Sequence, residues 1–456
     1  MKVLELVQRA LVISIIFLPV WSFGGAGIFV PFWVLGLGLA LCVLAGLDNR
    51  GVLGGRRRAS LLVVEPSLFY GLVVGAVWAA MAAWNARADF DPADFSFLPR
   101  EFVGFLPTSF DPTRSWRAAL NSIAGATAFL GLTLFLAKDR SSTNWKGGGR
   151  IAFFCWMLVC NGLVLALVGV VGRLDDPDKL LWVLDMPKNF SSEVAFGPFR
   201  YRGSAATTLN LIWPVLFGLW WTGSWGRRSG WSRDPSLLVY ICILVAAVVM
   251  TGSRGGWMIC GAQLLAVGAW FGLRGRFSTL GVVSWKFTLI GVLVLGGITI
   301  GSLDWGYVKD RIADGDTSFK LRVGHWAQTI PMIEDYPVFG VGPGAYDVAF
   351  AAYDQSENTR YIWVRNAHSD PIQTVATYGV LGSVLMWGFV VRWFLRLRPF
   401  VNTASAMVFI AVCGAVVHSS MDLPFQLFGT QLMILEVCAL ASIACFHPSP
   451  TKSDSA

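Results

Sequence analysis

Windows of about twenty mostly apolar residues recur along the whole of this 456-residue chain. A helix needs about 20 such residues to cross the hydrocarbon core of a bilayer, so each window is a candidate membrane span. The chain is 55% hydrophobic and only 14% charged, whereas an ordinary soluble domain has about 25% charged residues. These features predict an all-α polytopic membrane protein with about twelve transmembrane helices and no separate soluble domain.

The positions of Lys and Arg predict the orientation of these helices, because short loops rich in basic residues stay on the cytoplasmic side. The predicted spans lie near 9–24, 27–47, 61–84, 117–137, 151–172, 204–225, 237–252, 256–273, 287–302, 369–391, 403–419 and 424–445. With the N-terminus inside, the inner segments carry Arg56, Arg57 and Arg58; Lys138, Arg140, Lys146 and Arg150; Arg227 and Arg228; and Arg392, Arg396 and Arg398. The net charge of +8 is therefore interpreted as an orientation signal and not as a nucleic-acid-binding surface.

The cysteines indicate a protein without disulfides. The eight are Cys42, Cys155, Cys160, Cys242, Cys260, Cys413, Cys438 and Cys445. All fall inside predicted helices, and none lies in an outer loop where an oxidising compartment would form a disulfide. We interpret them as small core residues.

The outer segment 303–368 is the longest loop and is predicted to be a large periplasmic loop. It contains a predicted helix from about Ser318 to Glu334, with Thr317 or Ser318 as the capping residue and Pro331 limiting its far end. The residues that share one face of this helix, by three- and four-residue spacing, are Arg322, His325, Trp326 and Thr329.

His368 lies where this loop runs into the tenth predicted span, in the segment Arg365-Asn366-Ala367-His368-Ser369-Asp370-Pro371. Ser369 or Asp370 can cap the helix, and Pro371 suits its first turn. His368 is then expected just outside the positive end of a helix, which is a good place for an anionic ligand. An interfacial histidine that only faces lipid headgroups is the alternative interpretation.

Three segments place arginines where an anion could bind. Arg254 lies in the short turn Thr251-Gly252-Ser253-Arg254-Gly255-Gly256 and needs water, an acid or a phosphate to offset its closeness to hydrocarbon. Arg322 could fork onto phosphate oxygens from the loop helix. Arg200 and Arg202 precede the sixth span and are further candidates. A snorkelling or solvated arginine is the alternative interpretation for each position.

His418 and Asp422 lie at the outer turn before the last span and could line the same cavity, although a capped helix turn explains them as well. No Walker-type Gly-Lys-Ser/Thr loop is present. The stretch from Gly340 to Gly344 follows no strand of a βαβ unit and is no dinucleotide fingerprint. The four histidines lack metal-ligand spacing, so no metal and no cofactor are expected.

The pattern from His368 onward resembles the signature of the O-antigen ligase and polysaccharide polymerase superfamily. His368-Ser369 is followed by nine residues and then Gly379-Val380-Leu381-Gly382, which is similar to that family's His-(Asn/Ser)-x9-Gly-x-x-Gly. The supporting segments, in family order, are Phe196-Gly197-Pro198-Phe199, Ser253-Arg254-Gly255, Arg322 with Trp326, Pro337 to Gly344, and His418 to Gln426. The resemblance covers about 195–430.

The resemblance implies a GT-C-like membrane glycosyltransferase of the bacterial inner membrane. Such an enzyme transfers a glycan from undecaprenyl pyrophosphate to an acceptor on the periplasmic side without a metal ion. The residues implied to be catalytic are Arg254 and Arg322, on the pyrophosphate, and His368, at the acceptor hydroxyl or the phosphate. Those implied to contact substrate are Arg200, Arg202, Trp326, Arg365, Ser369 and His418. The chain then divides into helices one to five (1–194), a ligase-like region (195–445) and a disordered cytoplasmic tail (446–456).

A polymerase and a transporter are the two alternatives to a ligase. A ligase moves the finished glycan onto lipid A-core, whereas a polymerase joins it to another lipid-linked repeat of O-antigen or exopolysaccharide. A lipid-linked glycan flippase or secondary transporter would be expected to show ionisable groups at the membrane midplane, broken helices or repeated halves. Only Glu65 and Glu436 are predicted to lie within spans, and no repeat is apparent.

Overall fold

The computed structural model describes residues 2–53, 65–139, 149–176, 179–185, 195–222, 236–273, 315–355 and 366–445. Its helices are α1 (Lys2–Trp21), α2 (Val30–Leu53), α3 (Ser67–Trp84), α4 (Pro112–Ala137), α5 (Arg150–Asp175), α6 (Arg202–Thr222), α7 (Ser236–Met250), α8 (Arg254–Leu273), α9 (Gly315–Asp335), α10 (Tyr346–Phe350), α11 (Asp370–Arg396), α12 (Thr403–Ser419) and α13 (Phe428–Ala444). A short 3-10 helix, Phe23–Gly25, follows α1. Every predicted span overlaps one of these helices except 287–302, which lies outside the described residues.

Within the described residues, seven helices are long and apolar enough to cross a membrane, namely α1 to α5, α8 and α11. Three more, α7, α12 and α13, are apolar but shorter. The chain is therefore a mostly helical, multi-pass membrane protein. The predicted all-α fold is interrupted by two short antiparallel hairpins, β1 (Ala88–Asp91) with β2 (Ser96–Pro99) and β3 (Lys179–Leu180) with β4 (Leu184–Asp185).

Glycine allows the closest approach between helices, as expected where no water is released to drive packing in lipid. A Cβ atom added to Gly38 of α2 would lie 2.8 Å from the backbone nitrogen of Ala128 in α4. One added to Gly131 of α4 would lie 3.1 Å from the Gly38 carbonyl oxygen. The α2–α4 contact is thus a reciprocal backbone contact that a larger residue at either position would separate.

Helix α11 is broken at Gly379, whose φ of 67° and ψ of 176° lie far from helical values. The loop after α9 lies in the break. Its backbone forms hydrogen bonds with the N–H and C=O groups of α11 that the break leaves without a partner in the helix. The bonds run from Val380 N to Pro337 O (2.8 Å), Leu381 N to Val338 O (3.3 Å), Val341 N to Ala376 O (3.0 Å) and Gly342 N to Thr377 O (3.1 Å). The loop and the outer half of α11 therefore form one unit.

The two acids expected within spans differ in their surroundings. Glu436 lies inside α13 and is buried. Glu65 was expected inside a helix starting near residue 61, which is wrong, because α3 begins at Ser67. The Glu65 carboxylate instead accepts a hydrogen bond from the Ser67 hydroxyl and lies 3.9 Å from the guanidinium of Arg392.

All eight cysteines are free, as expected. The core interpretation holds for Cys155, Cys260, Cys438 and Cys445, which are buried. It is wrong for Cys160, which is exposed on the surface of α5. A span has an outward face as well as an inward one, and hydropathy alone does not separate the two.

Candidate functional site

The carboxylate of Asp422, in the turn between α12 and α13, is the centre of the candidate site. It is buried, and three side chains converge on it. The Tyr201 hydroxyl donates to Oδ1 at 2.7 Å, His418 Nε2 lies 3.5 Å from Oδ2, and His368 Nδ1 lies 3.8 Å from Oδ1.

The surroundings of Asp422 keep it ionised. Burial by itself raises the pKa of this carboxyl, but His368, His418 and the Arg322 guanidinium outweigh it and hold the pKa well below its usual range. Burial and the Asp422 charge raise the pKa of Tyr201, so its hydroxyl stays protonated and donates. The site therefore contains a fixed negative charge among histidines and arginines.

His368 is held in an unusual backbone conformation, with a φ of 52°. A non-glycine residue in this region costs about 1–3 kcal/mol and persists only where its surroundings fix it. Here the preceding Ala367 is fixed twice, because its carbonyl accepts from Trp326 Nε1 at 2.8 Å and its N–H donates to Gln373 Oε1 at 2.9 Å. This conformation places the partly exposed His368 imidazole beside Asp422.

The start of α11 departs from the expected cap. Ser369 occupies the N-cap position, and Pro371 lies in the first turn as predicted, but the Ser369 side chain makes no capping hydrogen bond. The Asp370 carboxylate instead accepts from Phe425 N and Gln426 Nε2, both at 3.0 Å. Asp370 thereby ties α11 to the turn that carries Asp422 and fixes the position of His368.

Helix α9 supplies the opposite wall of the site. It begins at Gly315 rather than Ser318, so the expected capping residues Thr317 and Ser318 lie inside the helix, and it continues past Pro331 to Asp335. The shared face predicted from sequence spacing is confirmed by four contacts. They are Arg322 Nη1 to Met421 O (2.5 Å), Trp326 Nε1 to Ala367 O (2.8 Å), the Thr329 hydroxyl to the Tyr346 hydroxyl (2.8 Å), and the His325 ring nearly parallel to that of His368 with centroids 6.5 Å apart.

The N-terminus of α6 reaches Asp422 because its second residue is a glycine. Arg202 is the first residue of α6, and a Cβ atom added to the next residue, Gly203, would lie 2.6 Å from Asp422 Oδ2. One turn later, the Thr207 hydroxyl lies 2.8 Å from Nδ1 of the buried His418. This helix end is therefore built against the same cluster.

The N-terminus of α8 approaches in the same way. Arg254 is its first residue, and a Cβ atom added to Gly255 would lie 2.8 Å from His418 Nε2. The first backbone N–H of α11, that of Asp370, donates to the Asp422 carbonyl at 3.2 Å. Three helix N-termini, each with positive partial charge, thus meet around Asp422 and His418.

Of the residues predicted to form the site, the structure brings together Arg322, Trp326, His368, Ser369 and His418, with the helix-initiating Arg202 and Arg254 at its edge. Arg200 is exposed nearby, and Arg365 lies outside the described residues. Sequence reasoning missed Tyr201 and His325 as members and Asp422 as the centre. The four-residue spacing from His418 to Asp422 was a usable signal, whereas nothing local distinguished Tyr201.

The arrangement favours an anionic ligand, since helix N-termini and arginine side chains surround the carboxylate of Asp422. In the described part of the chain, no group of three or more His, Cys, Asp or Glu side chains is placed to hold a metal ion.

The burial of His325 predicts a pH dependence of stability. Burial and the nearby His368 lower its pKa, against a smaller opposing effect of Asp354. Above its lowered pKa the folded protein leaves His325 neutral, whereas the unfolded chain binds a proton below about pH 6.5. Stability should therefore fall as the pH falls through about 6.5, and His325→Gln should remove part of that loss.

Thermal unfolding in detergent at about pH 5.5 and about pH 7.5 measures this effect. We expect the melting temperature of the wild type to drop more on acidification than that of His325→Gln. Equal drops in the two proteins would contradict the assignment to His325.

Comparison with known proteins finds a family match over part of the chain. Residues 238–387 match the family model described as O-Antigen ligase, a segment that includes Arg254, Arg322 and His368. No curated protein matches the chain. The match over residues 238–387 of this multi-pass membrane protein therefore supports the O-antigen ligase and polysaccharide polymerase superfamily, which the resemblance of its motifs implied.

Proposed function

We propose that this protein is a membrane glycosyltransferase that moves a glycan from undecaprenyl pyrophosphate to an acceptor hydroxyl, that of lipid A-core, on the periplasmic face of the bacterial inner membrane. The observation that carries the proposal is the meeting of the N-termini of α6, α8 and α11 around Asp422, with Arg202 and Arg254 as first residues and Arg322 opposite. A pyrophosphate is the anion that this arrangement suits best among the superfamily's substrates.

The arginines would act on the leaving group. Arg254 and Arg322 neutralise the charge that grows on pyrophosphate as the bond to the sugar breaks, and a guanidinium can fork onto two phosphate oxygens. Arg322 uses one N–H on Met421 O, which fixes its position, and the group has four more N–H donors. Arg200, Arg202 and Arg365 would extend the contact along the donor, with Trp326 and Ser369 beside it. No metal ion is needed when arginines neutralise the charge.

His368 would act on the acceptor. With its Nδ1 towards Asp422, the Nε2 lone pair can accept the proton of the acceptor hydroxyl, which is the orienting role that a carboxylate plays beside a catalytic histidine. The acceptor oxygen then bonds to the anomeric carbon, and pyrophosphate leaves with the electron pair of the broken bond. His418 and Tyr201 hold Asp422 in place for this step.

The second candidate, a polysaccharide polymerase, uses the same donor and site and differs in its acceptor. The transporter alternative is supported by two expected features, the buried Glu436 inside α13 and the helix break at Gly379. However, the backbone groups freed there bond to the loop from Pro337 to Gly342. A transporter would direct them to a substrate cavity. The clustering of charged groups at helix ends also favours the glycosyltransferase.

A deletion strain tests the proposed function. The gene is removed and restored, and surface polysaccharide is run on a gel beside an assay for lipid-linked intermediates. Long glycans accumulating on the carrier in the deletion strain would identify a ligase, and single repeats would identify a polymerase. Unchanged polysaccharide and unchanged intermediates would overturn both. Transfer by the purified protein in EDTA tests the metal independence directly, and loss of activity restored by magnesium would contradict it.

Arg254→Lys tests the contact with pyrophosphate. Lysine keeps the positive charge but loses the fork, so we expect transfer to fall by about 10- to 100-fold, corresponding to roughly 1.5–3 kcal/mol for hydrogen bonds to a charged group. The rate is measured with purified lipid-linked donor in detergent. Arg117→Lys is the matched control, since Arg117 is exposed and bonds only to Ala26 O among the contacts described. Near-normal turnover of Arg254→Lys would refute the role of Arg254.

A further inference from the structure

Large apolar side chains are exposed around the outer loop between α3 and α4, and Phe95, Phe97 and Val103 are among them. Five others are Trp84, Leu98, Phe102, Phe105 and Trp116, which we call the apolar rim. Phe105 is 78% exposed, Trp84 66% and Leu98 60%. Trp84 and Trp116 belong to membrane-spanning helices. Leu98, Phe102 and Phe105 belong to the loop and lie outside the spans.

The loop is held rigidly, so the exposure is a property of the fold. The Asn85 side chain donates to Val103 O at 2.9 Å and to Pro107 O at 3.2 Å, and its Oδ1 accepts from Val103 N at 2.8 Å. The Arg87 guanidinium lies 4.8 Å from the centre of the Phe102 ring and donates to the Thr108 hydroxyl at 3.1 Å. Only one face of Phe102 is thereby covered.

These hydrogen bonds also fix the position of the apolar rim relative to the ends of the membrane spans. Asn85 directly follows Trp84, the last residue of α3, so the segment from Phe102 to Phe105 lies beside the end of a membrane span. Trp116 lies in the second turn of α4, the next span. Exposed tryptophans at the ends of spans are typical of the membrane–water boundary, where their rings sit at headgroup level.

We propose that the apolar rim inserts into the lipid headgroup layer on the side of the membrane where Asp422 lies. Lipid fits this surface better than a glycan does, because the rim offers hydrocarbon and two indole N–H groups and has no amide or carboxylate to bind sugar hydroxyls. The exposed ion pair of Arg100 and Asp89, at 3.0 Å, lies beside Leu98, because Asp89 is the cross-strand partner of Leu98, and this pair marks the water side of the headgroup layer.

Insertion of the rim would set the height of the site above the bilayer. The rings of Phe97, Phe110 and Tyr336 form a chain of contacts, with centroids 5.8 and 5.4 Å apart, from the hairpin to the end of α9. Arg114 of α4 also pairs with Asp347 in the segment after the loop that fills the α11 break. These ring contacts and this ion pair therefore connect the hairpin and α4 to the walls of the site.

Photocrosslinking in lipid nanodiscs tests this proposal. Benzoylphenylalanine replaces Phe105 in one protein and Leu98 in another, and the matched control carries it at the exposed hairpin tip, at Ala93. After irradiation, we expect mass spectrometry to find phospholipid adducts at the two rim positions and few at Ala93. Two rim positions are used so that one poorly folded variant does not decide the outcome.

Absence of lipid adducts at both rim positions in folded protein would overturn the proposal. So would adducts of equal yield at Ala93, since these would indicate chance collision with lipid. Crosslinks from the rim to glycan, or to a second copy of the chain, would assign the surface to a different partner. None of these outcomes depends on whether the protein transfers glycans.

Discussion

Replacing His368 with alanine is expected to lower glycan transfer by about 10²–10⁴-fold, the usual contribution of a general base. The imidazole is the group that lies both beside the ionised Asp422 and at the partly exposed surface of the site. His418, the other histidine on this carboxylate, is fully enclosed and cannot reach an acceptor. The rate is measured with purified donor, after confirming that membrane levels and thermal stability match the wild type.

Asp422→Asn tests the positioning role of Asp422 separately from the general-base role of His368. The amide keeps the shape but loses the charge that orients His368, so we expect a smaller loss of maximal turnover, with the KM for the donor little changed. Ser420→Ala is a suitable control, because the Ser420 hydroxyl is exposed and bonds only within its own helix end among the contacts described. Wild-type turnover in His368→Ala would refute the proposed role of His368, whatever Asp422→Asn does.

Most of the Gly379→Ala variant is expected not to fold. The residue has a φ of 67°, which strains any side chain, and an added Cβ atom would lie 2.1 Å from the Val338 carbonyl oxygen. That contact is to backbone, so relief requires the loop to leave the α11 break and abandon its hydrogen bonds. A cost of about 3 kcal/mol or more follows from strain and clash together.

The same helix provides the control. Gly388 lies further along α11, and no atom lies within 4 Å of a Cβ atom added there. Gly388→Ala should be tolerated, since alanine is the better helix former by about 1 kcal/mol. Both variants are compared by size-exclusion profile and melting temperature in detergent. We expect Gly379→Ala to be absent or to melt at least about 5 °C lower, and equal behaviour of the two variants would contradict this reading of the break.

The geometry of α11 also explains the glycines in the motif after His368. A Cβ atom added to Gly382 would lie 2.9 Å from the Trp78 ring, so the second glycine lets α3 pack on α11. The motif therefore combines a residue at the site with two that shape the helix behind it. Sequence similarity alone treats the three as equivalent, whereas the structure gives them different tasks.

The helices and the site could be predicted to different extents. Hydropathy located the apolar helices of the described residues, because burial in lipid imposes a long apolar run that can be read directly. The shared face of α9 followed from helical spacing. The hairpin of β1 and β2 was missed, since apolar and acidic residues alternate over only four positions in β1, and β2 is largely exposed and shows no such alternation.

The sequence by itself determined that the chain enters a membrane. It also determined at which positions along the chain most helices form, and which family signature the chain carries. Only the tertiary structure decided that α6, α8 and α11 begin at one point and that Asp422 lies at their centre. Hydropathy is a local property of about twenty residues. The meeting of these three helix ends depends instead on contacts between residues far apart in the chain, such as Tyr201 with Asp422, and no local pattern encodes them.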